Sequence, residues 1–527
     1  MAVLEEYAPD HPLIKRLKTA APDLAPASLK AELSAYAEKG RTDMSLNLFG
    51  EVGVSEIDLN GTFEGRIDDF AEGNLYAEMT LGGKDGVKVL RQLGFEAIPI
   101  TQLQPGEVRL SLSGSPRDEL AFGFSSALVG MTVLSDGTVR FPRRSDAVWS
   151  AKVELQSDDL ADYGLAFGKV YPIYSGPLKA NLSAQVEGRG REFKLADLTG
   201  QLANMDLMGE LEGSLEENGP LKASGKLELS ELDMRSLSEL LLGSNVWAGA
   251  LQDDGVWPSQ ALGQGLADGV DLTLDVTSDR ALFSDEFHLT AASGQLRLRS
   301  NQLSISEGTG RFAGGEFSGA FDLQRDQGQA TLSGRFRLDD ADFEELSWSD
   351  DGRALATGKL QAIAEFEGSG RTISGLVAGL SGGGTFSLTD GEIRRINPAA
   401  FDLVIKAADA GLEIDEAVIQ SAFADHLDAG SVQFKRVDGS LGLASGRIRA
   451  RNISVDTEGT TLFGSAVIDL EKWALTGDVS MKPAMKRRRL PARSRRWRSF
   501  IPVPWKTRNA SWIRGRCCPT SIFAPLS

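Results

Sequence analysis

Gln295-Leu-Arg-Leu-Arg299 and Gln302-Leu-Ser-Ile-Ser306 decide how this chain is read. In both stretches apolar and polar residues alternate. Side chains of an extended strand point to opposite faces in turn, so a period of two gives one oily face and one charged or hydroxylated face. A helix would need apolar residues three and four apart. The same alternation returns in Gly446-Arg-Ile-Arg-Ala450 and Asn452-Ile-Ser-Val-Asp456. Asp-Gly pairs begin at 85, 136, 254, 268, 351, 390 and 438, and Asn-Gly pairs at 60 and 218. Such pairs tolerate the positive φ of tight hairpin turns and predict an antiparallel meander. The expected fold class is therefore mainly β: an elongated, curved, repeating β-groove with short helices.

The alternation is organised into repeats. A strand followed by a short amphipathic helix appears as Ala77-Glu-Met-Thr-Leu81 with Asp85-Gly-Val-Lys-Val-Leu90. It returns as Lys152-Val-Glu-Leu155 with Asp159-Leu-Ala-Asp-Tyr163, and as Lys226-Leu-Glu-Leu229 with Leu232-Asp-Met-Arg-Ser-Leu237. A fourth copy is Arg335-Phe-Arg-Leu338 with Asp342-Phe-Glu-Glu-Leu346. The anchor leucines, 81, 155, 229 and 338, are 74, 74 and 109 residues apart. Before three of them stands a Gly-x-apolar-x-Gly-x-apolar element, at Gly61–Ile67, Gly209–Leu215 and Gly315–Phe321. Alternate glycines permit bending or close approach while bulky residues share one face.

Two other regions differ. Asn397-Pro398 reads as a helix start, with Phe401, Val404, Ile405 and Ala408 as its apolar stripe and Gly411 as its end. Asp415 caps a second helix with Val418, Ile419, Ala422 and Phe423 as its stripe, so a helical hairpin is expected near 397–427. Residues 1–45 are helix-prone and punctuated by proline. They read as a linking segment that continues from a longer protein. The expected divisions are 1–45, repeating groove units over 46–353, a distinct region over 354–482 and a basic tail over 483–527.

Composition excludes several function classes. The 527 residues allow three or four ordinary domains, and 41% are hydrophobic, enough for a large buried surface. No apolar run reaches the ~18–20 residues that span a bilayer. The first ten residues lack a basic stretch and an apolar core, so they are no secretory signal. With three scattered His (His11, His288, His426) and Cys only at 517 and 518, no conventional metal site and no Cys–His nucleophile is expected. Gly308-Thr-Gly-Arg-Phe-Ala-Gly314 is followed by a strand pattern, which denies a nucleotide phosphate its helix dipole. Acid pairs such as Asp158-Asp159 and Glu344-Glu345 stand at helix starts, where they favour the dipole. No catalytic residue, metal or cofactor is expected.

Charge is uneven. The total is −18; residues 483–527 hold twelve Lys or Arg and no acid, which leaves −30 for the rest. An acidic body is a poor nucleic-acid binder. The tail also holds both Cys and three of the eight Trp. A one-base shift of reading frame can turn 502–527 into an acidic, ordinary-looking protein end. The tail is accordingly expected to be frameshifted and disordered, with a basic arm as the alternative.

A resemblance rests on Gly384-Thr-Phe-Ser-Leu-Thr-Asp-Gly-Glu-Ile393, the Asn397 helix, Ser431-Val-Gln-Phe-Lys-Arg-Val-Asp-Gly439, Asn452-Ile-Ser-Val-Asp-Thr-Glu-Gly459 and Leu462-Phe-Gly-Ser-Ala-Val-Ile-Asp-Leu470. Over Gly383–Met481 the chain resembles the C-terminal region of the AsmA-like family. That resemblance implies a bridge-like groove protein of the Gram-negative envelope. It implies an inner-membrane anchor, missing from this chain, and a periplasmic body that moves phospholipid toward the outer membrane or keeps that membrane intact. Partners would be phospholipid acyl chains and, in the intact protein, both membranes.

The residues themselves pose the same question. A largely uncovered apolar face cannot stay in water. It must close on itself or hold something oily. The first expectation is a non-enzymatic lipid groove lined by Phe63, Ile67, Leu211, Leu215, Phe317, Phe321, Phe386, Leu388, Ile448, Ile453 and Val455. The alternative is a structural or adhesive repeat protein with a closed core and no ligand.

Overall fold

The computed structural model describes the chain from 18 to 483, apart from 101–103, 170–176, 204, 217–218, 245, 248–256, 285–286, 348, 351–352, 413–414, 458–459 and 473; it also describes Arg16 and 503–504. Most of the basic tail, the Asp-Gly pairs at 254 and 351, and Asn218 thus lie outside the described residues. Two compact units divide the chain: 1–245 with 264–280 and 296–300, and 246–263 with 281–295 and 301–527.

The first unit repeats one pattern three times. Strands β1 (Ala27–Glu38), β2 (Arg41–Val52), β3 (Ser55–Gly65) and β4 (Asn74–Gly83) lead into helix α1 (Gly86–Gln92). Strands β5 (Gly106–Ser115), β6 (Glu119–Leu128), β7 (Met131–Arg140) and β8 (Val148–Ser157) lead into α2 (Leu160–Ala166). Strands β9 (Ala180–Arg189), β10 (Glu192–Leu202), β11 (Met205–Leu215) and β12 (Leu221–Asp233) lead into α3 (Met234–Leu242). The 74-residue step is therefore four strands and a helix. From β1 to β12 each strand pairs antiparallel with the next.

Every helix of this set starts on an aspartate. Asp85 accepts from the backbone N–H groups of Val87 and Lys88, Asp159 from Ala161 and Asp233 from Arg235. Such caps are worth roughly 1 kcal/mol each. Because consecutive connections alternate between strand ends, α1, α2 and α3 all fall on one rim of the unit. The other rim has hairpin turns and a short 3-10 turn at Ile67–Glu72.

Strands β13 (Val270–Leu282) and β14 (His288–Arg299) supply residues to both units. The second unit continues with β15 (Gln302–Phe312), β16 (Gly315–Asp326), β17 (Gln329–Asp342) and the single turn α4 (Phe343–Leu346). Then come β18 (Ala356–Gly370), α5 (Ile373–Ala378) and β19 (Ser381–Arg394). Helices α6 (Ala400–Asp409) and α7 (Glu416–Asp428) precede β20 (Ser431–Ala444), β21 (Arg447–Thr457), β22 (Thr460–Asp469) and β23 (Ala474–Pro483). These strands too pair antiparallel in chain order. The fold is mainly β, an open antiparallel meander with few short helices, as the alternation predicts.

Several local expectations need correction. Residues 27–38 and 41–45, expected within a helix-prone segment, belong to strands β1 and β2; Leu29, Ala31, Leu33, Ala35 and Ala37 alternate there as well. The stretches 446–450 and 452–456 are one strand, β21, bent at Asn452, whose φ is 59° and where the register shifts. An extra residue at such a bulge bends the strand.

Asp136-Gly137, Asp390-Gly391, Asp438-Gly439 and Asn60-Gly61 lie inside strands, not in turns. Three of their glycines face an aromatic ring across the ladder: Gly137 opposite Phe122, Gly391 opposite Phe434 and Gly439 opposite Phe386. The tight turns are made instead by Lys39-Gly40, Val129-Gly130, Ala313-Gly314, Gln327-Gly328 and Ser445-Gly446, with positive φ at both residues. That conformation suits the twist of the flanking strands.

The helical hairpin is present. Asp415 caps α7 through Ala417, and Gly411 follows α6 with a φ of 103°. The first helix begins two residues later than expected, at Ala400, although Asn397 Oδ1 accepts from the Ala399 N–H. Ala400 and Val404 are buried but Ile405 is exposed, so the stripe is rotated from the predicted one.

Candidate functional site: an apolar strip across the strands

Cross-strand partners share a face, so the register can be followed from strand to strand. One ladder in the first unit runs Leu33, Leu46, Gly61, Ala77, Leu112, Phe122. It continues through Gly137, Ala151, Val186, Leu195, Leu211 and Gly225. None of the twelve is polar. One residue along, the ladder of the opposite face runs Ser34, Ser45, Thr62, Tyr76, Ser113, Ala121. It ends in Thr138, Ser150, Glu187, Lys194, Glu212 and Ser224.

The second unit has a matching strip. Ile305, Phe321, Gly334, Phe366 and Gly382 lead on to Leu443, Ile448, Ile468 and Leu475. Beside it, Gly310, Phe317, Leu338, Ala362, Phe386 and Gly439 form another.

Glycine lets the rings lie down along these strips. A Cβ placed on Gly334 would come within 2.6 Å of the Phe366 ring, and one on Gly213 within 2.8 Å of Phe193. Rings over glycine cover neighbouring backbone and keep a low profile. Phe321 and Phe366 have ring centroids 6.2 Å apart, and Phe317 and Phe336 6.3 Å.

Burial divides the apolar face. Under α1 and α2, Leu81, Val108 and Leu128 pack with Val87, Val89, Leu90 and Ala166 in a sealed cluster. Removing such side chains from water contributes roughly 1.5–3 kcal/mol apiece. Along the strip between the rims, Leu46, Ala77, Leu112, Phe122, Leu195 and Leu211 are only half-buried. In the second unit the hairpin helices seal another cluster, in which Leu388, Leu427, Val432, Val437, Val455 and Leu462 are buried.

The expected groove residues therefore separate into groups. Leu211, Phe317, Phe321, Phe386 and Ile448 lie half-buried on the strips. Phe63 is on the same face but buried, stacked on Phe70 at 4.4 Å. Leu388 and Val455 are buried in the hairpin cluster, and Ile453 packs against it. Ile67 is not on a strand at all; it lies in the 3-10 turn and is 63% exposed. Leu215 ends β11 and is 56% exposed. Leu46, Leu112, Phe122, Phe366 and Leu443 are on the strips but were not among the expected residues. Their signal was the period of two in strands lacking the Gly-x-apolar element.

The opposite face is solvated and laced with ion pairs two residues apart on one strand, such as Arg337–Asp339 and Arg436–Asp438. Hydrogen bonding from Arg436 holds the Asp438 carboxyl below its ordinary range, and Arg66 does the same for Asp68. Among the described residues no group of three or more His, Cys, Asp or Glu could hold a metal ion, and no helix is long and apolar enough to cross a membrane.

A model of the AsmA family matches residues 245–453. No curated protein and no solved structure matches the chain. The family match covers α4 to α7 and most of the apolar strips of the second unit, and it overlaps the segment whose motifs carried the resemblance. Residues 245–453 of the chain are thus similar to the AsmA family.

Proposed function

We propose that this chain is a segment of an envelope lipid conduit, with phospholipid acyl chains held on the apolar strips. In this reading it serves phospholipid movement between the inner and outer membranes, or the integrity of the outer membrane, from a periplasmic position. One observation carries the proposal: unbroken apolar ladders in which Leu46, Leu112, Phe122, Leu195 and Leu211 are left half-buried, although Ala151 and Val186 between them are buried. A closed structural core would seal Leu46, Leu112 and Leu211 as fully as α1 seals Leu81 and Val108. The match of residues 245–453 to the AsmA family model supports an envelope role.

The mechanism is passive and needs no catalytic group. Each buried methylene contributes roughly 0.8 kcal/mol. Neighbouring rungs offer nearly equivalent apolar surface, so a chain can slide without a deep trap. The test is organic extraction of the purified protein followed by mass spectrometry. Bound phospholipid is expected; a folded monomer that yields none supports the closed-core alternative.

A further inference from the structure

Strand β1, Ala27-Ser-Leu-Lys-Ala-Glu-Leu-Ser-Ala-Tyr-Ala-Glu38, is the edge of the meander in the first unit. All twelve of its residues are exposed, whereas β4, with a strand on either side, mixes exposed and covered positions. Among the described residues β2 is its strand partner on one side and none stands on the other. Every second backbone N–H and C=O of β1 therefore points outward, ready to pair with another strand.

Proteins usually blunt such an edge with proline, a bulge or a covering element. β1 holds neither proline nor glycine, and its register with β2 runs from Ala27↔Val52 to Glu38↔Arg41 without a shift. The described chain before it turns onto α1. Asp23 pairs with Arg91 at 3.0 Å, and its carbonyl accepts from Gln92 Nε2 at 3.1 Å. That path runs toward α1 and not along the outer edge. The strand's single cation, Lys30, is answered by Glu32 two residues on, at 2.7 Å.

The edge is complementary to itself. Let two copies of β1 meet antiparallel about a two-fold axis at Ala31. Leu29 then stands opposite Leu33, Ala27 opposite Ala35, Ser28 opposite Ser34 and Lys30 opposite Glu32, each pair occurring twice. Lys30 and Glu32 of both copies join in one ion network on the water face. On the apolar face Leu29, 48% exposed, and Leu33, 65% exposed, cover each other. An axis at Lys30 or at Glu32 would set like charges opposite each other, which destabilises a strand pair. An axis at Leu33 forms no ion pair, and one at Ser34 pairs Lys30 with Glu38 but sets Leu33 against Ala35.

We propose that β1 is the seam of a symmetric dimer, in which a second copy of this chain adds its own β1 and the apolar face runs on from one copy into the next. The same patch serves on both sides, as a two-fold interface requires. Main-chain hydrogen bonds supply the attraction, and the side chains set the register. The inference does not depend on a lipid ligand.

Sedimentation of the full chain should show a dimer. E32K sets lysine opposite lysine twice and should raise the dissociation constant about tenfold, and K30E/E32K should restore it. Both side chains are more than half exposed, so the exchange leaves the fold intact. In a C517S/C518S background, A31C should form an intermolecular disulfide, because opposite residues of an antiparallel pair have Cα atoms within about 5.5 Å. L33C should not, because the two copies of position 33 stand about 13 Å apart along the seam. A monomer overturns the proposal, and slow hydrogen exchange along β1 in that monomer identifies a segment of the same chain as the cover. A dimer that is indifferent to E32K, that K30E/E32K fails to restore, or that cross-links at 33 in place of 31 overturns it as well.

Discussion

Phe386 lies across Gly439 on the neighbouring strand so closely that a Cβ there would stand 2.4 Å from the edge of the ring. The glycine is required by its partner, since its own φ is not in the left-handed region. Gly439→Val should therefore cost about 1–3 kcal/mol through overpacking. The double variant with Phe386→Ala should recover part of the loss, because the conflict then has only one member. Thermal unfolding of the four proteins in the cycle measures this, and a Gly439→Val protein as stable as the wild type would contradict the packing described.

The sealed rim and the open strip should respond differently to truncation. Leu90, on the buried face of α1, is 2% exposed, and Leu90→Ala should cost about 2–5 kcal/mol. Asp85→Ala should cost about 1 kcal/mol by removing the cap. Leu112→Ala, on the half-buried strip, should cost less than Leu90→Ala. Hydrogen exchange should show the Leu90 and Asp85 variants loosening at α1 and at the nearby ends of β4, β5 and β6. Equal costs for Leu90→Ala and Leu112→Ala would mean that the strip is sealed after all.

Acid should weaken the polar face. The Arg436 hydrogen bond lowers the Asp438 pKa below its ordinary 3.8. A carboxylate with a lowered folded-state value adds stability that is present above its unfolded value and lost as pH falls through the folded one. Asp438→Asn should thus melt slightly below the wild type at neutral pH, the two proteins converging below pH 3.8. Melting temperature against pH checks this; a constant gap across the acid range would rule out the ionised pair as its source.

Much of the architecture was legible because strand alternation and helix capping are local. Leu81, Leu155 and Leu229 each lead into an aspartate-capped helix, as their spacing predicts. What stayed hidden depends on neighbours distant in sequence. Nothing within Asp438-Gly439 announces that Phe386 lies over the glycine, so the pair reads as a turn. Nothing near Leu388 or Val455 tells that the hairpin helices cover them, while Phe321 and Ile448 stay half-buried. Period two assigns a residue to a face; the elements packed over that face decide whether it is sealed or available.

The central claim is that one face of the meander holds acyl chains and the other meets water. Leu112 and Ser113 are adjacent in sequence and point to opposite faces, one between Ala77 and Phe122, the other between Tyr76 and Ala121. A benzophenone side chain introduced at either position, irradiated in the presence of phospholipid vesicles and analysed by mass spectrometry, reads that difference directly. Lipid adducts at 112 and none at 113 are the predicted result. Adducts at neither position, or equally at both, would contradict the account.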